Sequence, residues 1–378
     1  MDNYPDIQHF RFFDNREKYL LFVTTCSEKW MVAARVGMEL KYLQPVPPAL
    51  RIFDAGMGDA TVLSQAMRQL HYRFPTIPFL IVGKESSQED VRISLEKMAD
   101  RFYEHPQTVL VVTNLYYAEA PWLSPRSEAM QAKLNWWDVP LQGSSAYEFD
   151  CQIKDLQAHL RHGWQTTTSK RTGNPLYMTP SVLILYRADH KFVLESLIPQ
   201  PGQRDHAYDL VIASQPFRAR LSAEIKVRNV LAPLASSLAP GGRMITVQST
   251  GKDPGMEIIR KLWPDDNPFQ TPRQVLLKEL RAQLRDSQTD LRYPHYSDQR
   301  AEFTYSMHMQ PTEISSTIGT STLLAAWNAA IYVAQIEDDR LHEVMSRGDY
   351  LHATQEVLRT YNALWFTDES FVVSRQRQ

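Results

Sequence analysis

Residues 50–61 read LRIFDAGMGDAT, and no other stretch constrains the fold as tightly. Leu50, Ile52 and Phe53 supply a buried strand, with Asp54 at its carboxyl end. Gly56 and Gly58 let the backbone turn sharply and come close to a ligand. Val62, Leu63, Ala66, Met67 and Leu70 then recur at helical spacing until Pro75 stops the run. A strand that enters a helix through such a turn is the opening unit of an open α/β sheet. Ligands of such sheets bind in the crevice beyond the carboxyl ends of the parallel strands.

The unit recurs along the chain. Pro78–Val82 is the next strand, with Glu85 beyond its end. Ser86 or Ser87 followed by Glu89 and Asp90 makes a capping box. It opens a helix with Val91, Leu95, Met98 and Phe102 on one face. Thr108–Thr113 (TVLVVT) is a continuous apolar run, as in a strand buried on both faces, and Asn114 ends it. Tyr208–Ala213 (YDLVIA) is another, leading into Ser214, Gln215, Pro216 and Phe217. A helix through Ile225, Val230 and Leu234 follows, then Pro240-Gly241-Gly242 and the strand Met244–Gln248. Five strands alternating with helices and glycine turns predict a doubly wound α/β sheet.

Between these segments lie three others. Residues 1–49 form a helical N-terminal cap, with one helix over Asn15–Tyr42 and a stiff Gln44–Pro48 linker into the sheet. Residues 116–205 form a long insertion that opens with Tyr116 and Tyr117 and carries Trp122, Trp136 and Trp137. It contains an expected helix over Gln152–Trp164 and an expected hairpin of Ser181–Tyr186 with Val193–Ile198. Long connections of this kind tend to be functional. Towards the C-terminus, strands are expected at Glu302–Met309 and Phe371–Ser374, with helices around Thr322–Gln335 and Tyr350–Leu364 between them.

The chain of 378 residues is ample for a large core. Its 41 Lys+Arg balance 43 Asp+Glu, and Ser169-Lys170-Arg171 is the nearest thing to a basic run. A nucleic-acid enzyme usually shows a basic face, so that class of partner is disfavoured. Two cysteines, Cys26 and Cys151, argue against a disulfide framework. No secretory signal pattern and no apolar run of about 20 residues is present, which points to a cytoplasmic protein without membrane association. No zinc spacing or HExxH motif appears, so no metal is expected.

The turn at Gly56 and Gly58 departs from the dinucleotide fingerprint, which needs a third glycine where Thr61 stands. Asp54 ahead of the turn, Glu85 after the second strand and the Leu-x-Pro-Gly-Gly turn resemble the pattern of class I S-adenosylmethionine-dependent methyltransferases. The resemblance covers residues 50–115 and 206–250. It implies a Rossmann-like, seven-stranded sheet built from residues 50–115 and 206–378, closed by an antiparallel hairpin at the C-terminus. It implies that Asp54, Gly56 and Gly58 cradle the methionine part of S-adenosylmethionine and that Glu85 holds the ribose. Asn114 and Ser214 complete the implied cofactor set. Ser214-Gln215-Pro216-Phe217 stands where amino-methylating members carry an Asn/Asp-Pro-Pro-Tyr/Phe motif, which makes Ser214, Gln215 and Phe217 the catalytic candidates. Pro216 and Phe217 match that motif; Ser214 and Gln215 do not.

The expected function is methyl transfer from S-adenosylmethionine to a small metabolite at N, O or S. Trp30, Tyr116, Tyr117, Trp136 and Trp137 are candidates for an aromatic cage around that acceptor. Alternatives are a protein or RNA methyltransferase, a non-catalytic S-adenosylmethionine-binding sensor or partner subunit, and a nicotinamide-dependent oxidoreductase. A homodimer is compatible with the sequence.

Overall fold

The computed structural model describes residues 16–169, 175–203, 207–309, 311–314 and 318–377. The segment MDNYPDIQHF, Asn15, and Lys170 and Arg171 of the basic patch lie outside the described residues. The strands are β1 (Leu50–Asp54), β2 (Phe79–Lys84), β3 (Thr108–Thr113), β4 (Asn135–Leu141), β5 (Thr166–Thr168), β6 (Pro175–Tyr177), β7 (Ser181–Arg187), β8 (Tyr208–Ser214), β9 (Leu238–Ser249), β10 (Leu291–Arg292), β11 (Glu302–Ser306) and β12 (Trp365–Arg375). All but β5 and β6 belong to one sheet. Its order is β10-β12-β9-β8-β1-β2-β3-β7-β4, with β11 also on the outer edge of β12.

The five central strands β3, β2, β1, β8 and β9 are parallel. β12 runs antiparallel to β9, and β11 antiparallel to β12. The sheet is therefore doubly wound as expected, but among the described residues it has ten strands rather than seven. Two of the extra strands come from the insertion. β7 pairs antiparallel with β3, and β4 pairs parallel with β7 at the outer edge. The third is the short β10.

β2, β3 and β7 are buried along their whole length because helices cover both faces of the sheet. On one face, Ile52, Ile81, Leu110, Leu210 and Ile212 pack against the second and third helices. The helices α1, α2 and α3 are Arg16–Thr25, Glu28–Leu40 and Thr61–Arg73; Val32 and Val36 of α2 and Leu63 and Leu70 of α3 belong to that core. On the other face, Phe53, Val82, Val111 and Val211 pack against Leu231, Leu234, Leu276 and Leu280. A third core joins Tyr19 and Phe22 of α1 to Trp327 and Tyr332 of the helix Thr320–Val333 and to Phe366 of β12.

Three local expectations are corrected. The cap is two helices, broken at Cys26, which bridges to Met307 beside β11. The helix expected over Gln152–Trp164 is likewise two, Ala146–Lys154 and Gln157–Gly163. Val193–Ile198 is not the second strand of a hairpin. It lies at a short helix, Lys191–Leu194, and the turn after it, where Leu194, Leu197 and Ile198 face the core at i, i+3, i+4 spacing while Phe192 is exposed.

The chain passes from β1 to β2 and β3 on one side, then returns to β8 and β9 on the other. The strand order reverses between β1 and β8, which opens a crevice there. Asp54 and Ser214 end those two strands.

Candidate functional site

The glycine turn lies at the mouth of that crevice. Gly58 has φ +53°, the left-handed region, and a Cβ there would come within 3.0 Å of the Tyr19 hydroxyl. Gly56 N–H donates to Asp54 Oδ1 at 3.2 Å. Gly58 N–H donates to Glu85 Oε2 at 2.9 Å, while Ser86 and Ser87 N–H donate to Glu85 Oε1 at 2.7 and 2.9 Å. The two acids therefore converge on one turn from adjacent parallel strands. Glu85 has about four lone-pair sites and three are taken by backbone amides. One remains, on Oε2, so holding both hydroxyls of a diol requires Glu85 to release the Gly58 amide.

Burial pushes the Asp54 carboxyl up to about 7, against the Gly56 amide and Lys29, and Glu85 adds to the rise. Burial and Glu85 likewise raise Asp90 to about 7. Asp59 behaves oppositely. Burial opposes its charge, yet Lys29, Lys97 and Thr61 hold it below the usual carboxylate range. Its Oδ1 accepts from Thr61 N–H at 3.2 Å, and Lys97 Nζ donates to Oδ2 at 2.7 Å. Asp59 thus occupies the start of α3 with a fixed negative charge. The cap closes over it: Tyr19 OH lies 3.4 Å from Asp59 Oδ1 and accepts from Asp59 N–H at 3.3 Å. Lys29 is 5.6 Å from the centre of the Tyr19 ring, and Glu28, Tyr332 and Asp59 keep its ammonium charged despite burial.

At the end of β8, Ser214 Oγ is buried without a hydrogen-bond partner. Gln215 has φ +47°, unusual for a residue with a side chain. Its Nε2 donates to Ser249 Oγ at 3.0 Å and to Asp368 Oδ2 at 3.2 Å, which holds it there. Phe217 is packed in the core on the opposite face, with Lys226 Nζ 4.8 Å from its ring centre. Phe217 nevertheless lines one small cavity together with Gln215, Gln248 and Ser249, beside the end of β8.

Asn114 spends three side-chain hydrogen bonds on the insertion. Its Nδ2 donates to Gly163 O at 2.8 Å and Thr179 O at 2.9 Å, and its Oδ1 accepts from Ser181 N–H at 2.8 Å. It ties the insertion to β3, and one lone pair of its Oδ1 is left. The expected aromatic cage is not assembled either. Trp136 and Trp137 lie on opposite faces of β4: Trp136 packs with one core and Trp137 with the other, where it meets His159 at 5.2 Å. Trp30 is 61% exposed on α2. Tyr116 stacks on Tyr177 at 4.5 Å. Tyr117 alone of the five reaches the crevice: burial, then Glu85 and Asp54, raise its hydroxyl pKa, and the Lys84 ammonium lies 4.9 Å from its ring centre.

Sequence reasoning missed Tyr19, Lys29, Asp59 and Asp368. Asp59 alone carried a signal, as a side-chain cap two residues ahead of Thr61. The others come from α1, α2 and β12, far from the motif in the chain. Among the described residues, no group of three or more His, Cys, Asp or Glu is arranged to hold a metal ion. Nor is any helix long and apolar enough to cross a membrane.

No protein-family model matches the sequence, and no curated protein matches it. Several solved structures are similar to it at low scores. A geranyl diphosphate methyltransferase solved with GPP and sinefungin shares 13% identity and a TM-score of 0.33, over 90% of this chain and 77% of that one. A Haemonchus contortus phosphoethanolamine N-methyltransferase 2 shares 11% and 0.36, over 99% of this chain and 62% of that one. The plantazolicin methyltransferase BpumL shares 10% and 0.34, over 96% and 91%. At these scores the likeness decides nothing about this chain, and its reading rests on its own residues.

Proposed function

We propose that the chain transfers a methyl group from S-adenosylmethionine to a small acceptor. The observation that carries this reading is the convergence of Asp54 and Glu85 on the glycine turn at the carboxyl ends of β1 and β2. A cofactor with a ribose diol, an ammonium and a sulfonium asks for acceptors and negative charge. The crevice offers both: Asp54, Glu85 and Asp90 line it, and Gly58 leaves the space that a Cβ would fill.

The same residues argue against a dinucleotide. A pyrophosphate binds at the amides of a helix N-terminus. Here the Thr61 amide at the start of α3 is already taken by the Asp59 carboxylate, which would repel an anion. Bound S-adenosylmethionine supplies a methyl group already activated on a sulfonium. What remains for the protein is to orient the acceptor and exclude water. Tyr19 and Lys29 close the crevice from the cap, and Ser214 lies at its floor beside β1. Near-balanced charge supports a small acceptor over a nucleic acid.

Thermal denaturation of the full chain with S-adenosylmethionine, S-adenosylhomocysteine and NAD tests the reading. A ligand at about 100 times its dissociation constant adds about 2.7 kcal/mol. The first two ligands are expected to raise Tm and NAD to leave it unchanged. A shift with NAD alone would reverse the assignment.

A further inference from the structure

Glu28 Oε2 of α2 is buried without a hydrogen-bond partner, and so, among the described residues, are three side-chain atoms on the α2 side of the sheet's carboxyl edge: Ser214 Oγ, Asp368 Oδ1 and Tyr305 OH. Strand register places them on one face. Asp368 stands opposite Ser249 across β12 and β9. Ser214 stands opposite Val247, two residues before Ser249. Tyr305 stands opposite Phe366, two residues before Asp368. Asp368 is 0% exposed and Tyr305 2%. Gln215 and Ser249 hold one oxygen of Asp368, and the other is left open.

A buried polar atom without a partner is costly, and native structures hold few. Asp368 and Tyr305, diagonal neighbours on adjacent strands, bring a carboxyl and a hydroxyl to one place, and Ser214 lies two strands from Asp368 on the crevice side. Aromatic rings stand beside them. Phe22 lies 6.1 Å from Tyr305, 4.8 Å from Tyr332 and 6.4 Å from Phe366, between ring centres. Carboxylates and aromatic faces together suit an alkylammonium. Glu28, paired with Lys29 at 3.4 Å, and Asp253 also face Asp368, so an anionic acceptor would be repelled.

We propose that the methyl acceptor is an amine, held as its ammonium at Asp368 Oδ1, with Tyr305 on the adjacent strand β11 and Ser214 on the crevice side. This rests on the S-adenosylmethionine reading above. The ammonium gives a proton to Asp368, and the freed nitrogen lone pair forms the N–C bond to the methyl carbon. The S–C bond breaks with its electron pair left on sulfur. The product leaves as a methylated ammonium, and Asp368 returns its proton to water. Burial, then Glu28, hold the Asp368 carboxyl well above the usual carboxylate range, which suits a group that takes a proton from an ammonium.

The test uses the full chain and its Asp368→Asn and Tyr305→Phe variants. Thermal shift is read with primary amines from ethylamine to phenethylamine and with the matching alcohols. Amines should stabilise the wild type, alcohols should not, and Asp368→Asn should lose the effect. Incubation with 13C-methyl S-adenosylmethionine and a small-metabolite extract should yield N-methyl products by NMR. Their yield should fall about tenfold or more in Asp368→Asn, with S-adenosylmethionine affinity within about threefold of wild type. If Asp368→Asn does not fold, Tyr305→Phe carries the comparison, with weakened amine binding expected. O-methyl or S-methyl products, or amine shifts equal in wild type and variants, would overturn the amine proposal and leave the cofactor reading standing. Absence of S-adenosylmethionine binding would overturn both.

Discussion

Asp54 illustrates how a single residue sets function against stability. Its carboxyl is raised from 3.8 to about 7, chiefly by burial. Below about pH 4 the proton is on Asp54 in both folded and unfolded chains. Between about pH 4 and 7 the unfolded chain loses it and the folded chain keeps it, so stability falls as pH rises through that window and then levels off. Asp54→Asn keeps an oxygen for the Gly56 amide and removes the titration. The variant should be more stable than wild type at about pH 8, by an amount on the order of 2 kcal/mol, and the gain should vanish near pH 4. Urea denaturation at the two pH values measures it. An equal difference at both would show that ionisation of Asp54 is not what costs stability. Glu85 is legible in the sequence as an acid beyond a strand. Its use of three backbone amides is not, because those bonds depend on how the two turns approach in space.

Among the elements, the insertion is the clearest departure from expectation. It extends the sheet through β7 and β4 and leaves Trp136 and Trp137 packed against the two cores. β4 was hidden in the sequence by Pro140, a residue that a strand tolerates at a sheet edge. Asn114 fastens the insertion with three hydrogen bonds. Asn114→Ala would leave the Ser181 amide and two carbonyls without that partner, at a cost of about 2–4 kcal/mol. S-adenosylmethionine affinity should stay within about threefold, a change of roughly 0.7 kcal/mol. Calorimetry on the folded variant decides. A large loss of affinity without unfolding would return Asn114 to the cofactor site. The same logic makes Trp136 and Trp137 scaffold rather than acceptor contacts.

At the scale of the whole molecule, the parallel centre of the sheet was readable because each strand is a continuous apolar run followed by a turn and a helical stripe. β1, β3 and β8 begin and end within a residue or so of their expected bounds. Towards the edges, β7, β11 and part of β12 were expected, but β4 and β10 were not: β10 is two residues long, and β4 carries Asp138 and Pro140 in its second half. The charged lining was hidden for another reason. Lys29 is far in sequence from Asp59, and Glu28 from Asp368, and only the closing of the cap and of β12 brings the members of each pair together. All of this turns on one claim, that the glycine turn is a cofactor cradle. Calorimetric titration of S-adenosylmethionine into wild type and Gly58→Val tests it most directly. Valine is strained at φ +53°, and its side chain would fill the space toward Tyr19. The account predicts saturable binding to wild type and at least about a hundredfold weaker binding, roughly 2.7 kcal/mol, to a variant whose circular dichroism shows it folded. Wild-type affinity in the folded variant would contradict it.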